Sequence, residues 1–181
     1  MMAILSREKN LPVTVEEVQT FLRLSDTQDV SLLENLIRSA VEEVETFTGL
    51  LLQKCTSQLV CDLKSRKPEG LVQAQGAEIV IRIPHIPFLK MLSVKVGEQE
   101  MSKYRIQVSH QDVALCQMSV EEGRTLSLTY DAGFGGEILI PEALKLAVLE
   151  IVAFRYEHRG EGRGEVPGMT TFLRPYRILH L

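Results

Sequence analysis

Leu32, Leu33, Leu36, Ile37, Ala40, Val41, Val44 and Phe47 recur every three or four positions, the spacing that lays one apolar stripe along an α-helix. Gly49 follows directly, as the residue that most easily turns left-handed and ends a helix. Upstream, Thr14-Val15-Glu16-Glu17 has the form of a capping box, in which a threonine hydroxyl and a glutamate three residues on satisfy amide groups at a helix start. A short helix to about Leu24 is therefore expected, with Asp26 to Asp29 breaking the pattern before the longer helix begins.

From Leu51 to Tyr130 the period changes to two: Ile79, Ile81, Ile83; Leu92, Val94, Val96; Tyr104, Ile106, Val108; Leu126, Leu128, Tyr130. Alternation of this kind predicts strands with one buried face. Pro84 and Pro87 separate two of them, and Gly97-Glu98 and Glu122-Gly123 mark turns, so the middle third reads as a small antiparallel sheet.

Pro141 suits the first position of a helix running to His158-Arg159, with Gly160 as its stop. This helix is apolar on most sides, which calls for burial nearly all round, inside its own fold or against other subunits. The remaining tail begins glycine-rich and ends with Phe172, Leu173, Tyr176, Ile178 and Leu179. That cluster is too small for a domain of its own and reads as an arm that docks.

Composition narrows the class. The chain has 181 residues, 45% hydrophobic and 24% charged, ordinary for a globular protein able to bury its own core. A formal charge of −4 argues against gripping nucleic acid unaided, which needs a basic surface to release counterions. Cys55, Cys61 and Cys116 form no CxxC pair, and an odd count makes no closed disulfide framework; reduced, buried thiols and synthesis in the cytoplasm are expected. The apolar run before Arg7, Glu8 and Lys9 is short for a signal peptide, and no segment approaches the roughly 20 apolar residues that cross a bilayer.

Candidate chemistry is sparse. Gly133-Phe134-Gly135-Gly136 precedes a helix, as phosphate-binding loops do. The spacing matches neither GxxxxGK[ST] nor GxGxxG, and Lys145 lies a full turn inside the helix. A structural corner is the expectation. His110, Asp112 and Cys116 offer the parts of a thiol nucleophile with its base. A two-residue turn at Gln111-Asp112 would pair Cys116 with Gln107 and set His110 on the opposite face of the sheet. His85, His110, His158 and His180 show no HxxxH or HExxH spacing, and His158 suits a helix C-terminus instead. Among the acids Glu34, Glu42, Glu43 and Glu45, Arg38 and Glu42 stand at i,i+4, as on a solvated or subunit-facing helix side. Arg155, Arg159, Arg163, Arg174 and Arg177 are interleaved with Glu157, Glu161 and Glu165, which suits salt bridges across a protein interface better than DNA contact.

The order of PVTVEEVQTFLRL, LLENLIRSAVEEVETFTG, IRIPHIPFLKMLSVKV, LTYDAGFGGEILIPEALKLAVLEIVAFRYEHRG and the terminal FLRPYR resembles the head-tail connector family of tailed phages, also called head completion proteins or DNA packaging adaptors, over nearly the whole chain. One departure is the strand after the second helix. Members often carry a tryptophan there, where this chain reads Gln53-Lys54-Cys55-Thr56. The resemblance implies a non-enzymatic virion protein without cofactors that assembles as a dodecameric ring beneath the portal and extends the DNA channel. It also implies a stopper or tail-completion protein as the partner below.

The reading is an α+β fold: a helical bundle from N- and C-terminal helices, an inserted small antiparallel β region and a C-terminal arm. A single domain is expected, with 1–50 helical, 51–137 β-rich, 138–160 a long helix and 161–181 a flexible arm. Under the resemblance, Phe172, Leu173, Arg174, Tyr176, Arg177 and Ile178 are expected to dock on the portal. Arg38, Glu42, Glu45, Arg155 and Glu157 are expected at the contact between subunits. The rival is a small phosphate-handling or nucleic-acid-binding phage protein using the GFGG turn.

Overall fold

The structure is a computed structural model that describes residues 2–24, 30–63, 72–75, 78–84, 86–108, 114–119, 125–135, 138–158 and 172–178. It is an α+β protein, as the change of period predicts. The chain divides into two compact units: a β unit of Met1–Glu8 with Lys54–Phe134, and a helical unit of Lys9–Gln53 with Gly135–Leu181.

The β unit contains two antiparallel sheets where a single small one is expected. Strands β1 (Met2–Arg7), β2 (Cys55–Asp62), β5 (Phe88–Val96), β6 (Gln99–Glu100) and β9 (Thr125–Ala132) form a sheet in the order β1-β2-β9-β5-β6. Strands β3 (Val72–Gln75), β4 (Glu78–Arg82), β7 (Arg105–Val108) and β8 (Ala114–Met118) form the other, in the order β3-β4-β8-β7. β1 lies inside the segment read as helical. Its short apolar run carries no period of its own and becomes a strand by pairing with β2, from Met2 opposite Leu59 to Arg7 opposite Cys55.

The central pair β2 and β9 shows why alternation specifies register. Cys55 faces Ala132, Ser57 faces Tyr130, and Leu59 faces Leu128, and these six residues are all buried, so a slip of one would turn the whole set toward solvent. The opposite face is polar: the Thr56 hydroxyl donates to Asp131 at 2.8 Å and the Gln58 amide donates to Ser127 at 3.2 Å. Val94 and Val96 are buried as their alternation predicts, whereas Leu92 in the same phase is exposed. The β5–β9 register shifts between Met91 and Ser93, and a bulge of this kind inserts a residue and breaks the period. The Gly97-Glu98 turn joins β5 to β6, with Gly97 at φ +62°. Cys116 pairs with Ile106, not the expected Gln107. Residues 109–113 lie outside the described residues, as do His85, Glu122, Gly123, Arg159, Gly160, Glu161, Arg163, Glu165, Leu179 and His180.

In the helical unit, α1 (Val15–Leu22) starts on the capping box. The Glu17 amide donates to the Thr14 hydroxyl at 3.1 Å, and the Thr14 amide donates to the Glu17 carboxylate at 2.7 Å. α2 (Val30–Thr48) ends at Gly49, whose φ is +77° and whose amide donates to the Glu45 carbonyl at 2.8 Å. α3 spans Glu142–Glu157 with Pro141 as its N-cap, one position before the expected one, since Pro141 keeps an extended ψ of 134°. Leu33, Ile37, Ala40, Val41 and Val44 of α2 and Leu144, Ala147, Val148, Ile151 and Val152 of α3 are buried, and the two helices pack together.

Candidate functional site

α3 is not buried all round within the chain. Its buried residues lie on the side facing its own core, while Leu146 is exposed and Leu149 half-buried. Those two residues border a groove of about 760 Å³ within the helical unit, whose opposite wall is α1. Phe21 of α1 and Phe172 complete the apolar lining, and Phe21, Leu146 and Phe172 remain 43%, 37% and 37% exposed. Helical spacing assembles both walls: Glu17 and Phe21 stand at i,i+4 on α1, and Glu142, Lys145, Leu146 and Leu149 follow at three and four positions on α3.

Glu16, Glu17 and Glu142 make the rim acidic. The Lys145 ammonium, the rim's cation, donates to Glu142 at 2.9 Å. Grooves with apolar floors and charged rims are the form in which proteins receive a helix or strand of another chain.

Residues 172–178 of the C-terminal segment make contacts within this unit. Leu173 is fully buried. The Ile178 amide donates to the Thr48 carbonyl at 2.8 Å, which supplies a partner for a carbonyl at the end of α2. The Arg177 guanidinium lies 5.6 Å above the centre of the Phe47 ring. Phe172 and Arg174 are exposed and Tyr176 and Ile178 half-buried, so the segment has an anchored side and an outward side.

The candidate interface charges divide in the same way. Arg38 faces Glu34 at 4.0 Å, one turn before the Glu42 expected for it. Glu42 and Glu157 are exposed. Arg155 is held within the chain: it donates to the Ser39 hydroxyl at 2.6 Å and pairs with Glu43, tying α3 to α2. The Glu45 carboxylate accepts the Leu52 amide at 2.8 Å and so fixes the exit from α2. His158 closes α3, with its Nδ1 2.9 Å from the Phe154 carbonyl and its ring stacked on Phe154 at 4.3 Å.

The glycine turn is a corner. The Gly133 amide donates to the Pro87 carbonyl at 2.7 Å, and the Gly135 amide donates to the Ile138 carbonyl at 3.0 Å. Both of these amides therefore already have acceptors. Gly133 and Gly135 sit at φ +100° and +147°, a region that residues with a Cβ rarely enter. Phe134 between them is buried. Among the described residues no group of three His, Cys, Asp or Glu is disposed to hold a metal, and no helix is long and apolar enough to cross a membrane. Cys55 and Cys61 are not in a disulfide, the first buried and the second half-buried.

The fold is shared with solved particle proteins. It is similar to a chain in the neck of an empty gene transfer agent (GTA) particle computed with C6 symmetry, with a TM-score of 0.78 and 17% identity, covering 100% of this chain and 97% of that one. A chain of the virion of the native particle matches with a TM-score of 0.74 and 19% identity over the same shares. A chain of the native neck computed with C12 symmetry matches with a TM-score of 0.71 and 18% identity, again covering 100% and 97%. No curated protein matches the sequence. The model of the head completion protein family matches residues 12–172. The chain therefore belongs to that family, whose members are structural, non-enzymatic proteins of the phage head-tail connection.

Proposed function

We propose that the chain is one subunit of a ring of twelve that sits beneath the portal of a tailed particle and extends the channel through which DNA passes. The family match over residues 12–172 carries this reading. The C12 and C6 symmetries of necks holding similar chains are compatible with twelve copies. The subunit is made in the host cytoplasm and joins the virion when the head is complete. DNA passes without sequence-specific contact, in keeping with the charge of −4. A stopper or tail-completion protein binds the face away from the portal.

The groove and the C-terminal segment are the contact surfaces. Leu173 anchors the segment, while Phe172, Arg174, Tyr176, Arg177 and Ile178 form the side offered to the portal. Arg38, Glu42 and Glu157 contribute to the contact between subunits, with Arg155 and Glu45 holding the helices in place behind them. Light scattering and electron microscopy of the purified chain, with and without its portal, test the reading. A twelve-membered ring on the portal is expected; a closed two-fold dimer as the sole assembly would overturn it.

A further inference from the structure

Among the described residues the five-stranded sheet ends in two edges with unpaired strand backbone. One is β1, whose six residues are all exposed, Leu5 to 55%. Met2 and Ile4 add two further exposed apolar side chains. The other edge is the outer side of β5. There β6 pairs with Lys95 and Val96, and the Met101 amide donates to the Val94 carbonyl at 2.8 Å. Among the described residues no strand pairs with the outer side of Phe88–Ser93. That stretch includes Leu92, 45% exposed. An exposed edge with apolar side chains is a template for strand addition from another chain.

Strand direction identifies the fitting occupant. Each step from β1 through β2 and β9 to β5 is antiparallel, so β1 and β5 run in opposite directions. β1 of one copy laid against β5 of another continues the antiparallel order without reversal. We propose that the subunits join in this way, with β1 of each copy adding to the outer side of β5 in the next.

The inference rests on the ring reading and gives it a backbone contact. Joining two different edges is heterologous and can close a ring, whereas β1 against β1 is isologous and stops at two copies. Adding six residues buries far less than the roughly 1,200 Å² of a stable interface, so an isolated pair does not persist. In a closed ring every copy makes the contact twice. Lys90 on β5 and the register shifts at Leu5 and Leu92 are features that discourage indiscriminate edge pairing, which suits a contact made only during ordered assembly.

Hydrogen exchange with mass spectrometry, on the free chain and on the ring assembled with its portal, tests the proposal. Peptides covering residues 2–7 and 88–93 are both expected to slow at least about tenfold in the ring, the sign of new backbone hydrogen bonds. Leu5→Lys should melt as the parent does, since the side chain is exposed, and should lower the yield of rings. A ring in which either peptide exchanges as in the free chain overturns this inference and leaves the connector reading standing. Full ring yield from Leu5→Lys does the same. Protection confined to residues 2–7 in a two-fold dimer overturns both, as does the absence of any ring with portal present.

Discussion

Leu173→Ala tests whether the C-terminal segment belongs to the core of the helical unit. Leu173 is fully buried although its neighbours Phe172 and Arg174 are exposed, so the substitution removes its contacts without touching the outward side. Losing three buried carbons costs about 0.8 kcal/mol each in transfer free energy. The residual cavity raises the total into the range of about 2–5 kcal/mol seen for buried leucines. At about 3 kcal/mol, and about 2–4 °C per kcal/mol for a chain of this size, the melting temperature should fall by ~6–12 °C. Arg174→Ala is the control, because an exposed site away from such features changes stability by only about 0.5 kcal/mol. Differential scanning calorimetry and urea midpoints, measured at one protein concentration, give the comparison. Truncation after Gly168 should also destabilise, since it removes Leu173 and the Ile178 hydrogen bond to Thr48. Its loss is smaller than the sum of the contacts because the released segment regains conformational entropy. A Leu173→Ala protein melting within about 2 °C of its parent would refute the argument, and the segment would then be a surface arm.

Thr14→Ala should cost about 1 kcal/mol by removing the acceptor for the Glu17 amide, with a fall of a few degrees in the same scans; no fall would mean that the cap contributes nothing. Arg155→Glu should destabilise the free chain because it sets a carboxylate against Glu43, whereas Arg38→Glu, at a pair more than 40% exposed on both sides, should leave helicity by circular dichroism intact and reduce ring yield. Equal thermal stability of the two variants would show that the tie between α2 and α3 contributes little. Calorimetric titration with ATP should give no heat, because the Gly133 and Gly135 amides already have acceptors and Lys145 pairs with Glu142; micromolar binding abolished by Lys145→Ala would reverse that reading of the glycine turn.

Local interactions were legible in the sequence. The Thr14–Glu17 box, the Gly49 stop and the stripe along α2 each depend on residues within a turn or two of each other, so their spacing contains the geometry. The alternation in β4 and β9 likewise encodes which face is buried. The groove was legible only as an excess: α3 carries more apolar residues than a single buried face requires, but its sequence does not say which remain outside.

Contacts between distant segments decided the rest. β1 has no period of its own and exists through β2, whose paired residues lie 48 to 57 positions further along the chain. The bulge that turns Leu92 outward and the register that sets Cys116 opposite Ile106 follow from how whole strands align. Arg155 and Leu173 read from sequence as surface groups awaiting a partner, yet their partners lie in their own unit, Arg155 on α2 and Leu173 in the core. The sequence by itself determined the α+β class, the helix ends and the buried faces, because periodicity and capping are properties of neighbouring residues. Which apolar and charged side chains stayed free for another chain was decided by tertiary packing, because burial depends on what the fold brings alongside.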